Sequence, residues 1–141
     1  MKKLVITISI LVVAALSFFL SDYFRKNDET GMITIIVVDE IGDIVHNEKY
    51  SFTEQDTLLG IMEEDFIVLC ANNQYQADSC DTEAFIGHII LTIDDIETDW
   101  MNTYFAIYIN DEYSNYGIDD IPLVDGNVYR FEFTEVGDDI Q

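Results

Sequence analysis

The chain has 141 residues, with 6 Lys and Arg against 28 Asp and Glu, a formal net charge of −22 at pH 7. So acidic a balance argues against nucleic acid as a partner, because binding phosphate takes clustered Lys and Arg, and against charge-driven docking on an anionic membrane. The length suits one domain with one modest core.

Residues 1–26 read as a signal-anchor or transmembrane segment. Lys2 and Lys3 form a short positive start, and residues 4–20 are an uncharged run of 17. A signal-peptide core is usually about 7–15 residues and a spanning helix about 20, so this run falls between the two. Cleavage after Ala15-Leu16-Ser17 would cut inside the apolar run, which favours an uncleaved anchor. No cysteine stands directly after the apolar run, which excludes a lipoprotein anchor. Residues 27–31 are a polar linker. The expected placement is the cell membrane, single-pass, with the C-terminal domain extracellular, or secretion if the segment is cleaved.

The domain proper is expected over 32–136. Four of the six basic residues (Lys2, Lys3, Arg25, Lys26) precede it, so 27–141 carries only Lys49 and Arg130 against 27 acids. Residues 32–38 (MITIIVV) are apolar on both faces, which suits a central strand. Gly42-Asp43 marks a hairpin turn into 44–52, where Tyr50 and Phe52 share the core face. Asp56 is placed to cap a helix over 56–64, with Leu58, Leu59, Ile61, Met62 and Phe66 inward. Glu63-Glu64-Asp65 oppose the helix dipole at its end, so this helix is short and held by packing. An extended stretch at 67–70 leads into a polar, irregular 71–84. Residues 87–93 (GHIILTI) form a strand, and Asp94-Asp95 begin an acidic turn.

Two further strands follow. Phe105, Ile107 and Ile109 alternate with Tyr104, Ala106 and Tyr108, then Tyr129, Phe131 and Phe133 alternate with Val128, Arg130 and Glu132. Alternation sends the two sets to opposite faces. Five strands with one helix between the second and third make an α+β, β-grasp-like small domain.

Cys70 and Cys80 enclose nine residues. Outside the cytoplasm such a pair reads first as a disulfide, the alternative being two unrelated thiols. His46 and His88 are not spaced as zinc ligands with either cysteine. The acidic runs Asp94-Asp95-Glu97-Asp99 and Asp119-Asp120-Asp125 read as solvated turns rather than calcium loops, since neither follows the EF-hand order; no metal ligand is assigned. No nucleophile elbow, zinc-protease helix or phosphate loop is present, and no site is electropositive enough to activate a thiol. The chain is read as a non-enzyme needing no cofactor.

Residues 31–136 resemble the transcobalamin-type C-terminal domain family, most closely over 104–133 and least between 65 and 86. Tyr104-Phe105 stand where its aromatic pair opens a strand, Asn110-Asp111 at its Asn-Gly-type turn, Gly117 at its isolated glycine, and Asp125-Gly126-Asn127 at its last turn. Asp111 replaces a frequent glycine, and 70–84 has no counterpart. The resemblance implies a β-grasp-like fold over 31–136. In the eukaryotic cobalamin carriers the corresponding small domain covers one side of the corrinoid and a larger helical domain holds the other. No counterpart of that helical domain is expected here, so cobalamin or another corrinoid carries over as a ligand only through half of the site. The candidate ligand-binding residues are Trp100, Tyr104, Tyr108, Tyr113 and Tyr116, rings with apolar faces and polar tips. Two functions stand side by side: a tethered small-molecule-binding module, or a cell-surface protein-interaction module with no small-molecule ligand.

Overall fold

A computed structural model of the protein describes residues 30–81 and 87–137. The expected anchor at 1–26 and the first three residues of the expected linker at 27–31 lie outside the described residues. Among those described, no helix is long and apolar enough to cross a membrane.

The chain order is β1 (Gly31–Val38), β2 (Ile44–Phe52), α1 (Leu58–Asp65), β3 (Val68–Ala71), β4 (Ala77–Ser79), β5 (Ile90–Ile93), β6 (Ile96–Glu97), β7 (Thr103–Ile109), β8 (Glu112–Tyr113), a 3-10 turn (Ile118–Asp120) and β9 (Val128–Glu135). The α+β small-domain expectation holds. The five expected strands are β1, β2, β5, β7 and β9, and four short strands join them to give two sheets, β2-β1-β9-β7-β8 and β4-β3-β5-β6. β1 is central as expected, antiparallel to β2 and parallel to β9.

Register explains the core. Ile35 lies opposite Tyr129 and Val37 opposite Phe131, while Ile107 pairs with Phe131 and Ile109 with Tyr129. These side chains therefore share one face of the large sheet. They join Leu58, Ile61 and Met62 of α1 and Val68, Cys70, Ile90 and Ile93 of the small sheet in one buried cluster. The Tyr129 hydroxyl is buried with partners: it donates to the Pro122 carbonyl (2.7 Å) and accepts from the Val124 N–H (3.1 Å), tying residues 122–124 to β9.

Two local expectations need correction. The helix cap is Thr57, whose Oγ1 accepts from the Gly60 N–H at 3.0 Å. Asp56 instead closes the preceding turn, accepting from the Thr53 N–H (2.7 Å) and hydroxyl (2.9 Å). Thr57, in extended backbone, is the residue placed to meet the third helical N–H. Residues 71–81 are not irregular: β3 and β4 form a hairpin. Its turn is built by Asn72, whose Oδ1 accepts from the Gln74 and Gln76 N–H groups at 2.9 and 3.0 Å. Side-chain-to-backbone bonding of this kind leaves no hydrophobic period to read. The Cys70–Cys80 disulfide is present, with Cα atoms 4.9 Å apart, and closes this hairpin.

Candidate functional site

β8 pairs with β7 only at Tyr108 and Ile109. Alongside the rest of β7 runs a cleft of ≈ 200 Å³. Four of the five candidate aromatics line it: Trp100, Tyr104, Tyr113 and Tyr116. Phe105 and Ile118 supply buried apolar surface beneath. The cleft follows the strand edge, not a sheet face, and so takes Phe105 from one face and Tyr104 from the other.

Tyr108 does not line the cleft. Its ring carries the Arg130 guanidinium, with Cζ 4.1 Å from the centroid, and meets the Tyr113 ring edge-on at 5.7 Å. Arg130 is in turn held by Glu132, and by Asp111 at 3.8 Å. Tyr108 therefore reaches the cleft only through Tyr113, its cross-strand partner on the same face of the sheet.

Local chemistry positions each ring. Trp100 follows Asp99, whose Oδ1 accepts from the Asn102 N–H (2.7 Å) and Thr103 N–H (2.9 Å) while Oδ2 accepts from the Asn102 amide (2.7 Å). These bonds, the Asn102 side chain first, hold the Asp99 carboxyl well below the usual carboxylate range. The turn they build places Trp100 at φ 64°, a conformation that bulky residues rarely adopt. Tyr113 and Tyr116 follow the Asn110-Asp111 turn, with φ 51° and 68°, which suits a two-residue hairpin. The Ser114 N–H donates to Ile107 (2.8 Å), and the Ser114 hydroxyl accepts from the Tyr116 N–H (3.1 Å).

Three cleft elements have no local sequence signature. His88 lines the cleft and is clamped by Asp119, which accepts from the His88 N–H (2.6 Å) and Nδ1–H (2.8 Å). Gly87, at φ 88°, permits this approach, since a Cβ there would lie 3.1 Å from the Asp119 carboxylate. Tyr75, at the tip of the disulfide-closed hairpin, stacks on Trp100 with ring planes 4° apart and centroids at 6.2 Å. Tyr75 too lies at positive φ, 57°. Backbone conformations of this cost cluster at ligand sites. The partners of these pairs are 25 and 31 residues apart in sequence, beyond the reach of any short motif.

Among the described residues, no group of three or more His, Cys, Asp or Glu is arranged to hold a metal ion. The cleft offers ring faces, one imidazole clamped by a carboxylate, and hydroxyls.

No protein-family model matches the sequence, and no curated protein matches it. Solved structures do share the fold. A "putative metal binding protein" from Ruminococcus gnavus ATCC 29149 matches with a TM-score of 0.53 at 18% identity, over 74% of this chain and 97% of that one. Haptocorrin in complex with Cbi matches with a TM-score of 0.52 at 13% identity, over 74% of this chain and 25% of haptocorrin. This chain thus spans about a quarter of haptocorrin's length. At such identities the likeness shows the fold: a small α+β domain of a kind also found within haptocorrin.

Proposed function

We propose that this protein is an extracytoplasmic, membrane-tethered ligand-binding module of the transcobalamin C-terminal type, taking a corrinoid-like ligand, flat with a polar rim. The observation that carries the reading is the convergence of Trp100, Tyr104, Tyr113 and Tyr116 on one cleft. The fold shared with haptocorrin in complex with Cbi supports it. At ≈ 200 Å³ the cleft is smaller than the roughly 300–1,000 Å³ of ordinary small-molecule pockets. It therefore grips one edge of such a ligand and leaves the rest to solvent or to a partner. Rings meet rings here, so binding is carried by apolar contact and stacking, with no catalytic step and no cofactor.

Calorimetric titration of the full chain with cobinamide and cobalamin tests this. The expected result is a saturable heat that Tyr104→Ala/Tyr113→Ala weakens by about tenfold or more, equivalent to about 1.4 kcal/mol. Tyr108→Ala, acting only through Tyr113, should weaken it less. Absence of heat at high protein concentration would overturn the ligand reading and leave the cell-surface protein-interaction module in its place.

A further inference from the structure

A second cavity, of ≈ 220 Å³, lies on the β2 side of the large sheet, while the aromatic cleft lies on the β7 side, and the two share no lining residue. Val37, Val45 and Phe66 give it an apolar floor, and His46, Asp94 and Asp95 its polar wall.

Two irregularities of the backbone shape it. Pairing between β1 and β2 steps from Val37 opposite His46 to Val38 opposite Ile44, which leaves Val45 as the extra residue of a β-bulge. Bulges re-aim side chains and gather beside functional sites. On the facing side Asp94 lies at φ 52°. Its N–H donates to the Ile67 carbonyl and its Oδ1 accepts from the Ile67 N–H, both at 2.8 Å. Its second carboxylate oxygen and both oxygens of Asp95 make no hydrogen bond among the described residues. The His46 ring stands edge-on to Phe66 (centroids 4.5 Å apart), with Nε2 2.7 Å from the Tyr50 hydroxyl.

The local field is negative. Burial, then the carboxylates of Asp65, Glu48 and Asp94, push the Tyr50 phenol up to about 12. Among the described residues no cation offsets them: Lys49 pairs with Thr34 on the face of the sheet opposite to His46, and Arg130 lies against Tyr108. An apolar floor under two carboxylates fits a ligand that is greasy at one end and positive at the other. At about 30 Å³ per water-sized group, the cavity holds about seven heavy atoms.

We propose that this cavity binds a primary ammonium on a short apolar chain, with the methylenes on Val37, Val45 and Phe66 and the ammonium between Asp94 and Asp95. The chemistry is shared by a free alkylamine and by the lysine side chain of a peptide. The net charge of the chain raises the local concentration of either.

Amide-shift NMR of the labelled full chain, titrated with n-pentylamine, n-pentanol and N-acetyl-lysine amide, tests it. The expected result is saturable shifts at residues 45–46, 66 and 93–96 with pentylamine, and binding of pentanol weaker by about tenfold. Asp94→Asn/Asp95→Asn should weaken pentylamine by a similar factor without altering the rest of the spectrum. Asn tolerates the positive φ and still accepts from the Ile67 N–H. If the lysine amide binds as tightly as pentylamine, the source is a peptide lysine, and if far more weakly, a free amine. No saturable shift with either amine, equal affinity for amine and alcohol, or unchanged affinity in the double variant would overturn the proposal.

Discussion

The two sheets of this domain are held by different means. In the large sheet, β1, β2, β7 and β9 run for seven to nine residues, and alternation sorts their side chains between core and outer face. In the small sheet no strand exceeds four residues. All four residues of β5 are buried, so no alternation distinguishes its faces. What fixes the small sheet is a cross-link, an Asn-built turn and the core it rests on. A long strand carries its own instructions for register, whereas a short one takes its position from what it is tied to.

The largest expected effect lies in the large sheet. Phe131 is fully buried and faces Val37 and Ile107 across its two neighbours. Phe131→Ala should cost about 3–5 kcal/mol, read as a fall in the urea midpoint by circular dichroism. Next comes Cys70→Ala/Cys80→Ala, for which closure of a loop this short predicts a loss of about 2–3 kcal/mol. The comparison demands more than a smaller number. Native-state hydrogen exchange should speed up in β3 and β4 while β1 and β9 stay protected. Uniform acceleration across both sheets would show that they open as one unit and would break the contrast.

Legibility in the sequence follows the same division. The strands 32–38, 44–52 and those after residue 103 were readable because period-two patterns and turn residues specify them locally, and the inward face of α1 was readable from its spacing. The cap shifted by one residue because Asp56 and Thr57 are both competent acceptors and only the backbone path chooses between them. The β3–β4 hairpin was invisible because Asn72 and the disulfide, not hydrophobicity, build it. The aromatic cleft was half legible. Its tyrosines stood out by spacing, yet Tyr108 touches the cleft only through Tyr113, and Tyr75, His88 and Asp119 arrive through contacts that no local pattern encodes.

The smallest expected effect concerns the joint between the sheets. Asp99 lies between β6 and β7, and its carboxylate builds the turn that holds Trp100, the chain's one tryptophan, against Tyr75 of the small sheet. Its native carboxyl titrates below the ordinary carboxylate range. A depressed native value means that the charged form is favoured by folding. Its contribution is therefore complete above the unfolded value of about 3.9 and is lost as pH falls below that toward the native one. Asp99→Asn removes the charge while leaving an oxygen acceptor for the turn. The stability difference between wild type and variant, followed by Trp100 fluorescence in urea, should be constant from pH 7 to 5 and narrow toward pH 2. Comparing the two chains cancels the common response of the other carboxylates. A difference independent of pH would mean that the turn owes its form to geometry alone, and that the two sheets are joined at Trp100 by packing and not by charge.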